Sequence, residues 1–153
     1  MERYLQIRLG SRKFDDVDEV RSQTMSAIRG KGNKSTELAL RMVLVRAKVS
    51  GWKMHPTHLK GKPDFFFPRQ QIAIFVDGCF WHSCPVCGHT PTTRKRFWAA
   101  KLRRNRERDL ATVASLEGIG ITVLRIWEHE LKSTTGKINT AGKIKLALRG
   151  KRN

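Results

Sequence analysis

The sequence predicts an α/β domain in which helices flank a small mixed β-sheet. The apolar runs Phe65–Phe67, Ile72–Val76 and Ile121–Trp127 are short, rich in aromatic and branched residues, and bounded by turn formers, as buried strands are. Stretches with helical spacing lie before, between and after them, which suits a sandwich of two or three layers. At 153 residues the chain is long enough for one core and hardly for two, so residues 1–153 are read as a single domain.

In chain order, Met1–Lys13 mixes Arg3, Arg8, Arg12 and Lys13 with Tyr4, Leu5, Ile7 and Leu9 without a clean period, and residues 1–20 read as a flexible arm. Asp15, Asp16, Asp18 and Glu19 precede Val20, Met25 and Ile28, placing acids at the start of a short helix, where the macrodipole favours them. A second helix is predicted from Ser35, with Ser35 as N-cap, Glu37 in the first turn, and Leu38, Met42, Val45 and Val49 as its apolar face; Gly51 ends it. Trp52–Lys62 reads as an extended segment followed by a loop, its period broken by His55, His58 and Gly61.

Asp64 stands between Pro63 and the first apolar strand. A turn at Pro68–Gln71 returns Ile72–Val76 antiparallel to Phe65–Phe67, which places Asp64 and Asp77 at one edge of the sheet. A long helix is predicted from about Arg94 to Glu117, closed by Gly118 and Gly120, with Leu102, Leu110, Val113 and Leu116 as a partial apolar face. Ile121–Trp127 is the third strand, and residues 131–153 form a basic tail with a helical pattern at Ile138, Ala141, Ile144 and Leu148.

Lys and Arg number 31 against 13 Asp and Glu, a formal net charge of +18 with a pI near 10.8. Such an excess repels itself unless a polyanion shares the solution, which makes nucleic acid the expected partner. No apolar run approaches the length of a membrane span, and no signal-peptide pattern opens the chain, so a cytoplasmic, nucleoid-associated protein with no membrane partner is expected. Arg94, Lys95, Arg96, Lys101, Arg103, Arg104, Arg106 and Arg108 coat the first half of the long helix with Asn105 among them, a face suited to phosphates.

All three cysteines lie within Cys79–Cys87, an arrangement that fits metal better than a disulfide framework. Cys79, Cys84 and Cys87 supply three thiolates, and zinc needs a fourth ligand to close a tetrahedron. His129 is a candidate if Ile121–Trp127 runs parallel to Ile72–Val76, because the two strand ends then meet; His82 and His89 are nearer rivals. Magnesium calls instead for carboxylate oxygens, and Asp64 and Asp77 are candidates to hold it against a phosphate, with Glu37 facing the same point. If His129 closes the zinc site, His82 is free to act as general base, its ordinary pKa of about 6.5 allowing it to take a proton near neutrality. Phe80, Trp81, Phe97 and Trp98 read as core or as wedges that enter a base step, and at least one of Phe80 and Trp81 is expected to be exposed because neighbours on an extended segment alternate.

GKPDFFF, IAIFVDGCFWHSCPVC, FWAAKLRRNRERD and VLRIWEHE, in this order and at these separations, closely resemble the very-short-patch repair (Vsr) DNA mismatch endonucleases, over about Arg21–Glu130. The resemblance implies a restriction-endonuclease-like PD-(D/E)xK core with a structural Zn2+ and a Mg2+-dependent nick beside a T:G mismatch. It implies that Asp64 is the metal-binding aspartate, His82 the catalytic histidine and Glu37 the glutamate near the attacking water. Cys79, Cys84, Cys87 and His129 fall on the zinc positions; Phe80, Trp81 and Trp98 fall on the intercalating aromatics. Three positions depart: Cys84 stands at a loop position that is histidine in some members, His129 where the family often has cysteine, and Asp77 where some members have histidine, which suggests for Asp77 a second metal ligand or a water-mediated role. The implied protein is a monomeric, strand-specific endonuclease nicking 5′ to the thymine left by 5-methylcytosine deamination, with repair proteins acting after the nick. Its rivals are a restriction- or defence-associated nuclease without mismatch specificity and a zinc-stabilised DNA-binding module, the last having no use for Asp64 or His82.

Overall fold

The computed structural model describes residues 34–151; the arm at residues 1–20 and the short helix expected after Asp15 lie outside the described residues. Helix α1 spans Lys34–Arg46, followed by strands β1 (Lys53–Met54), β2 (Phe65–Phe67) and β3 (Ile72–Asp77). Helix α2 (Lys95–Glu117) then leads to β4 (Thr122–Trp127), a 3-10 turn (Glu128–Leu131) and helix α3 (Thr134–Gly150). The sheet order is β1-β2-β3-β4, antiparallel as far as β3 and parallel between β3 and β4. The three strands read from sequence are β2, β3 and β4, with the pairing senses expected for them.

Strand alternation assigns the layers. Phe65, Phe67, Ile72, Ile74 and Val76 join Leu40, Val43 and Leu44 of α1 and Ile144 and Leu148 of α3 in one core. Phe66, Ala73 and Phe75 project to the opposite side and pack with Leu116 of α2 and Leu59 and Ile121. The result is three layers, α/β/α. Strand β3 is covered on both faces, which is why its sequence is continuously apolar instead of alternating. Among the described residues no helix is long and apolar enough to cross a membrane.

The first helix turns out differently from its sequence reading. Leu38, Met42 and Val45 are 57%, 43% and 55% exposed, whereas Thr36, Glu37, Leu40, Val43 and Leu44 are buried. At about 100° per residue these two sets lie on opposite sides of the helix, and both satisfy helical spacing. Burying Glu37 selects the second face, a choice that hydrophobicity alone opposes. Ser35, expected to cap this helix, lies within it.

Helix α2 matches its expected extent, but its inward stripe is mixed. Leu102 and Leu116 are buried while Leu110 is 62% exposed. Trp98, Asn105 and Asp109 occupy the intervening inward positions, and each makes a side-chain contact with the loop that follows β3. In α3, Ser133 caps the helix by accepting from the Gly136 N–H at 3.0 Å, and Ile144 and Leu148 are buried as the pattern predicts, whereas Ile138 of the same pattern is exposed.

Candidate active site and metal centre

Antiparallel pairing of β2 with β3 brings Asp64 level with the end of β3, where the Val76 N–H donates to Asp64 Oδ2 at 2.7 Å. Glu37, turned inward from the first turn of α1, and His55, just beyond β1, complete a group whose ligand atoms all lie within 4.8 Å of one another. His55 Nε2 is 3.1 Å from Glu37 Oε2, while Glu37 Oε1 is buried with no hydrogen-bond partner. Burial, and then the neighbouring Glu37 carboxylate, push Asp64 up from 3.8 to about 7. Two carboxylates placed where neither is well solvated, one with an orphaned oxygen, are a donor set that fits a divalent cation.

His55 carried no signal in the sequence reading. Its position follows from the β1–β2 register, in which Met54 pairs with Phe65, so that the next residue lies opposite Asp64. The His55 N–H donates to the Asp64 carbonyl at 3.3 Å. A two-residue strand is too short to announce that register.

Asp77 is not brought to this group. Alternation along β3 sends it, with Phe75, toward α2, whereas Asp64 reaches Glu37 on α1. Arg125 on β4, paired in register with Phe75, grips the Asp77 carboxylate through Nε and through Nη2 at 2.8 Å. Asp64, expected to stand with Asp77, is instead grouped with Glu37 and His55, and Asp77 belongs to an ionic network.

That network contains His82. His82 Nδ1 lies 2.6 Å from Asp109 Oδ2 and 3.8 Å from Asp77 Oδ1, and Arg125 Nη2 lies 3.2 Å from Asp109 Oδ2. Burial works against ionisation of Asp109, but the hydrogen bond and charge of His82 and the charge of Arg125 hold its carboxyl below the usual range. Burial likewise opposes the charge on Arg125, and the bonds to Asp77 outweigh it, raising its affinity for its proton. An ionised carboxylate only accepts, so Nδ1 of His82 is the nitrogen that carries a proton toward Asp109. Asp109 and Arg125 both escaped the sequence reading, because their pairing depends on how α2 and β4 flank one loop.

The loop after β3 also gathers four donors that could hold a metal ion. Cys79, Cys84 and Cys87 Sγ lie 3.3, 3.5 and 3.6 Å from His129 Nδ1. A tetrahedral zinc with Zn–S of about 2.3 Å and Zn–N of about 2.05 Å has S···N edges of about 3.6 Å, so the four donors already stand at the required spacing. The parallel register, Asp77 opposite Trp127, carries His129 to the cysteines, as the sequence reading anticipated. His82 is held by Asp109, and the His89 ring stands 5.5 Å from Phe80, so neither takes the fourth position. Burial, and then the Cys87 sulfur, push the Cys79 thiol up to about 12; three thiolates here require a cation to balance them. A side chain at Gly88 would collide with the Cys84 carbonyl, so the turn between the ligands demands glycine.

Phe80 and Trp81 lie in a run of turns at residues 79–83, so their side chains do not alternate as on a strand. Both rings are half-buried against Trp98, at centroid distances of 5.2 and 6.0 Å, which replaces the expectation that one would be exposed. Asn105, grouped by sequence with the phosphate-facing side chains, turns inward and donates to the Trp81 carbonyl at 3.1 Å. Arg94, Lys95 and Arg104 are exposed and Lys101 is half-buried at the same end of α2.

Residues 13–87 match the family model described as DNA mismatch endonuclease Vsr. The chain is 44% identical over 117 residues to the Type II nicking enzyme V.NaeI of Lentzea aerocolonigenes, covering 72% of this chain and 68% of that protein. It is 36% identical over 115 residues to the Type II nicking enzyme V.XorIIP of Xanthomonas oryzae, with 74% and 82% covered. With the DNA mismatch endonuclease Vsr of Escherichia coli it shares 33% identity over 115 residues, covering 73% and 71%.

Proposed function

Because the chain belongs to the Vsr DNA mismatch endonuclease family, we propose that it nicks one strand of duplex DNA 5′ to the thymine of a T:G mismatch left by deamination of 5-methylcytosine. The observation that carries the catalytic part is the Glu37–Asp64 carboxylate pair with its orphaned oxygen, in a chain of net charge +18. A cation-binding acid pair is what a phosphodiesterase needs against its substrate, and a DNA-binding module gains nothing from it.

In this reading Asp64 and Glu37 would hold a divalent cation such as Mg2+, which would supply charge neutralisation at the scissile phosphate. His82 Nε2 takes the proton of the attacking water, and Asp109 fixes the tautomer that makes Nε2 the base. Arg125 helps to keep Asp109 ionised and ties it to Asp77. The exposed Arg94, Lys95 and Arg104, with Lys101, follow the phosphates. The Phe80–Trp81–Trp98 cluster enters the base stack beside the mismatch, where a mismatched pair costs less to open.

Asp109→Asn tests the tautomer. An amide can donate to Nδ1 and shift the proton to Nε2, which removes the base; nicking is expected to fall about 10²- to 10³-fold with DNA affinity unchanged. A loss confined to affinity would remove His82–Asp109 from the chemistry.

Specificity is tested on three duplexes identical except for a T:G, C:G or T:A pair, placed in a panel of methyltransferase sites. Selective nicking of T:G is the expected result. The relatives whose names call them Type II nicking enzymes favour a second reading, a nicking companion of a restriction system; cleavage of the matched duplexes at equal rate would establish that reading without mismatch specificity.

A further inference from the structure

We propose that His55 is the third protein ligand of the catalytic cation, so that the site presents two carboxylates and one imidazole and takes Mn2+ in preference to Mg2+. The inference rests on the nuclease reading above and adds to it the donor set and the ion it selects.

The geometry separates this role from a surface ion pair. The 3.1 Å between His55 Nε2 and Glu37 Oε2 equals the edge of an octahedron whose metal–ligand distance is about 2.2 Å. Asp64 offers an oxygen to the same point, all three donor atoms lying within 4.8 Å. A hydrogen bond between His55 and Glu37 would account for Oε2 alone. It leaves Glu37 Oε1 unpartnered on a side chain that is only 8% exposed, and such an oxygen is costly without a cation or a donor.

Backbone placement agrees. His55 sits at φ 48°, in the left-handed region that a non-glycine residue enters at a cost, and it directly precedes Pro56. The His55 N–H to the Asp64 carbonyl holds it there. The His55 ring is partly open to solvent, which leaves a path for the ion and for water ligands.

The consequence is selectivity. Mg2+ keeps oxygen ligands and several waters, whereas an imidazole nitrogen raises affinity for the transition metals, Mn2+ being the weakest-binding member of that series. Replacing the nitrogen should therefore weaken Mn2+ and leave Mg2+ nearly unchanged.

The test is Mn2+ titration of the zinc-loaded full chain, followed by electron paramagnetic resonance, with Mg2+ affinity taken from competition. Wild type, His55→Gln, His55→Ala and Asp64→Asn are compared, and nicking is measured on the same samples. Expected are a directly coupled 14N in the pulsed spectrum of wild type, its loss in both His55 variants, and Mn2+ affinity weakened about tenfold with Mg2+ affinity changed less than about twofold. Wild-type protein that binds Mn2+ and nicks DNA without a coupled nitrogen overturns the inference and leaves the nuclease reading standing. A coupled nitrogen lost with His55, in protein that cleaves no DNA with either ion, supports the ligand assignment and overturns the nuclease reading. Mn2+ binding that survives Asp64→Asn unchanged overturns the assignment of the site itself.

Discussion

Asp64→Asn is expected to reduce nicking about 10³-fold or more while leaving DNA affinity within about twofold. A cation on the phosphate contributes several kcal/mol to transition-state stabilisation, and each 1.36 kcal/mol is tenfold in rate. The amide retains an oxygen that can accept from the Val76 N–H, so the end of β3 keeps its anchor. Stability distinguishes this outcome from a structural defect. Asp64 is pushed up to about 7 by burial and by Glu37, so in metal-free protein it is the ionised form that the fold disfavours. A carboxyl raised in this way makes the protein less stable as pH rises from about 4 toward 7, and a neutral amide removes that dependence. The variant should therefore melt above wild type at pH 8, by more than it does at pH 5, in buffer without added divalent ion. Parallel loss of binding and nicking, or a lower melting temperature at pH 8, would remove Asp64 from the catalytic role.

What the sequence discloses and what it hides divide along a physical line. Strands β2, β3 and β4 were legible because continuous apolar runs between turn formers have few other uses. The meeting of His129 with Cys79, Cys84 and Cys87 was legible once two strands were taken as parallel, since equal strand ends place the following residues together. Hidden were the features that depend on a choice between equivalent patterns. Helix α1 carries two apolar stripes, and the one turned inward is the one that takes Glu37 with it. Helix α2 hides Asn105 and Asp109 on its inward side because their partners, the Trp81 carbonyl and His82, are supplied by a loop without periodicity. Arg125 reads as an ordinary interruption of an apolar strand until Asp77 and Asp109 are seen on either side of its guanidinium. Polar side chains that satisfy one another across elements have no signature in any one element, and around this loop they set the geometry.

Cys84→Ser and His129→Ala are expected to lose bound zinc, from about one equivalent to almost none, and with it the order of the loop that carries the three cysteines. Residues 78–94 contain no helix or strand, and their backbone–backbone hydrogen bonds are short-range, such as Cys84 N–H to the Cys79 carbonyl at 2.9 Å and Gly88 N–H to the Cys84 carbonyl at 2.8 Å. The main core, by contrast, is built from α1, α3 and the sheet and needs nothing from this loop. Loss of the ion should open the loop locally before the sheet melts, exposing residues 78–94 to protease while far-ultraviolet dichroism changes little. Nicking falls with it, since the same loop carries His82 toward Asp109 and Phe80 and Trp81 against Trp98. Cys84 is buried and Cys87 exposed, so Cys87→Ser should be the milder variant, a water replacing its sulfur where one cannot reach Cys84. Zinc-free protein with unchanged protease resistance in this loop would mean that the aromatic cluster holds it, and that the four ligands are not its anchor.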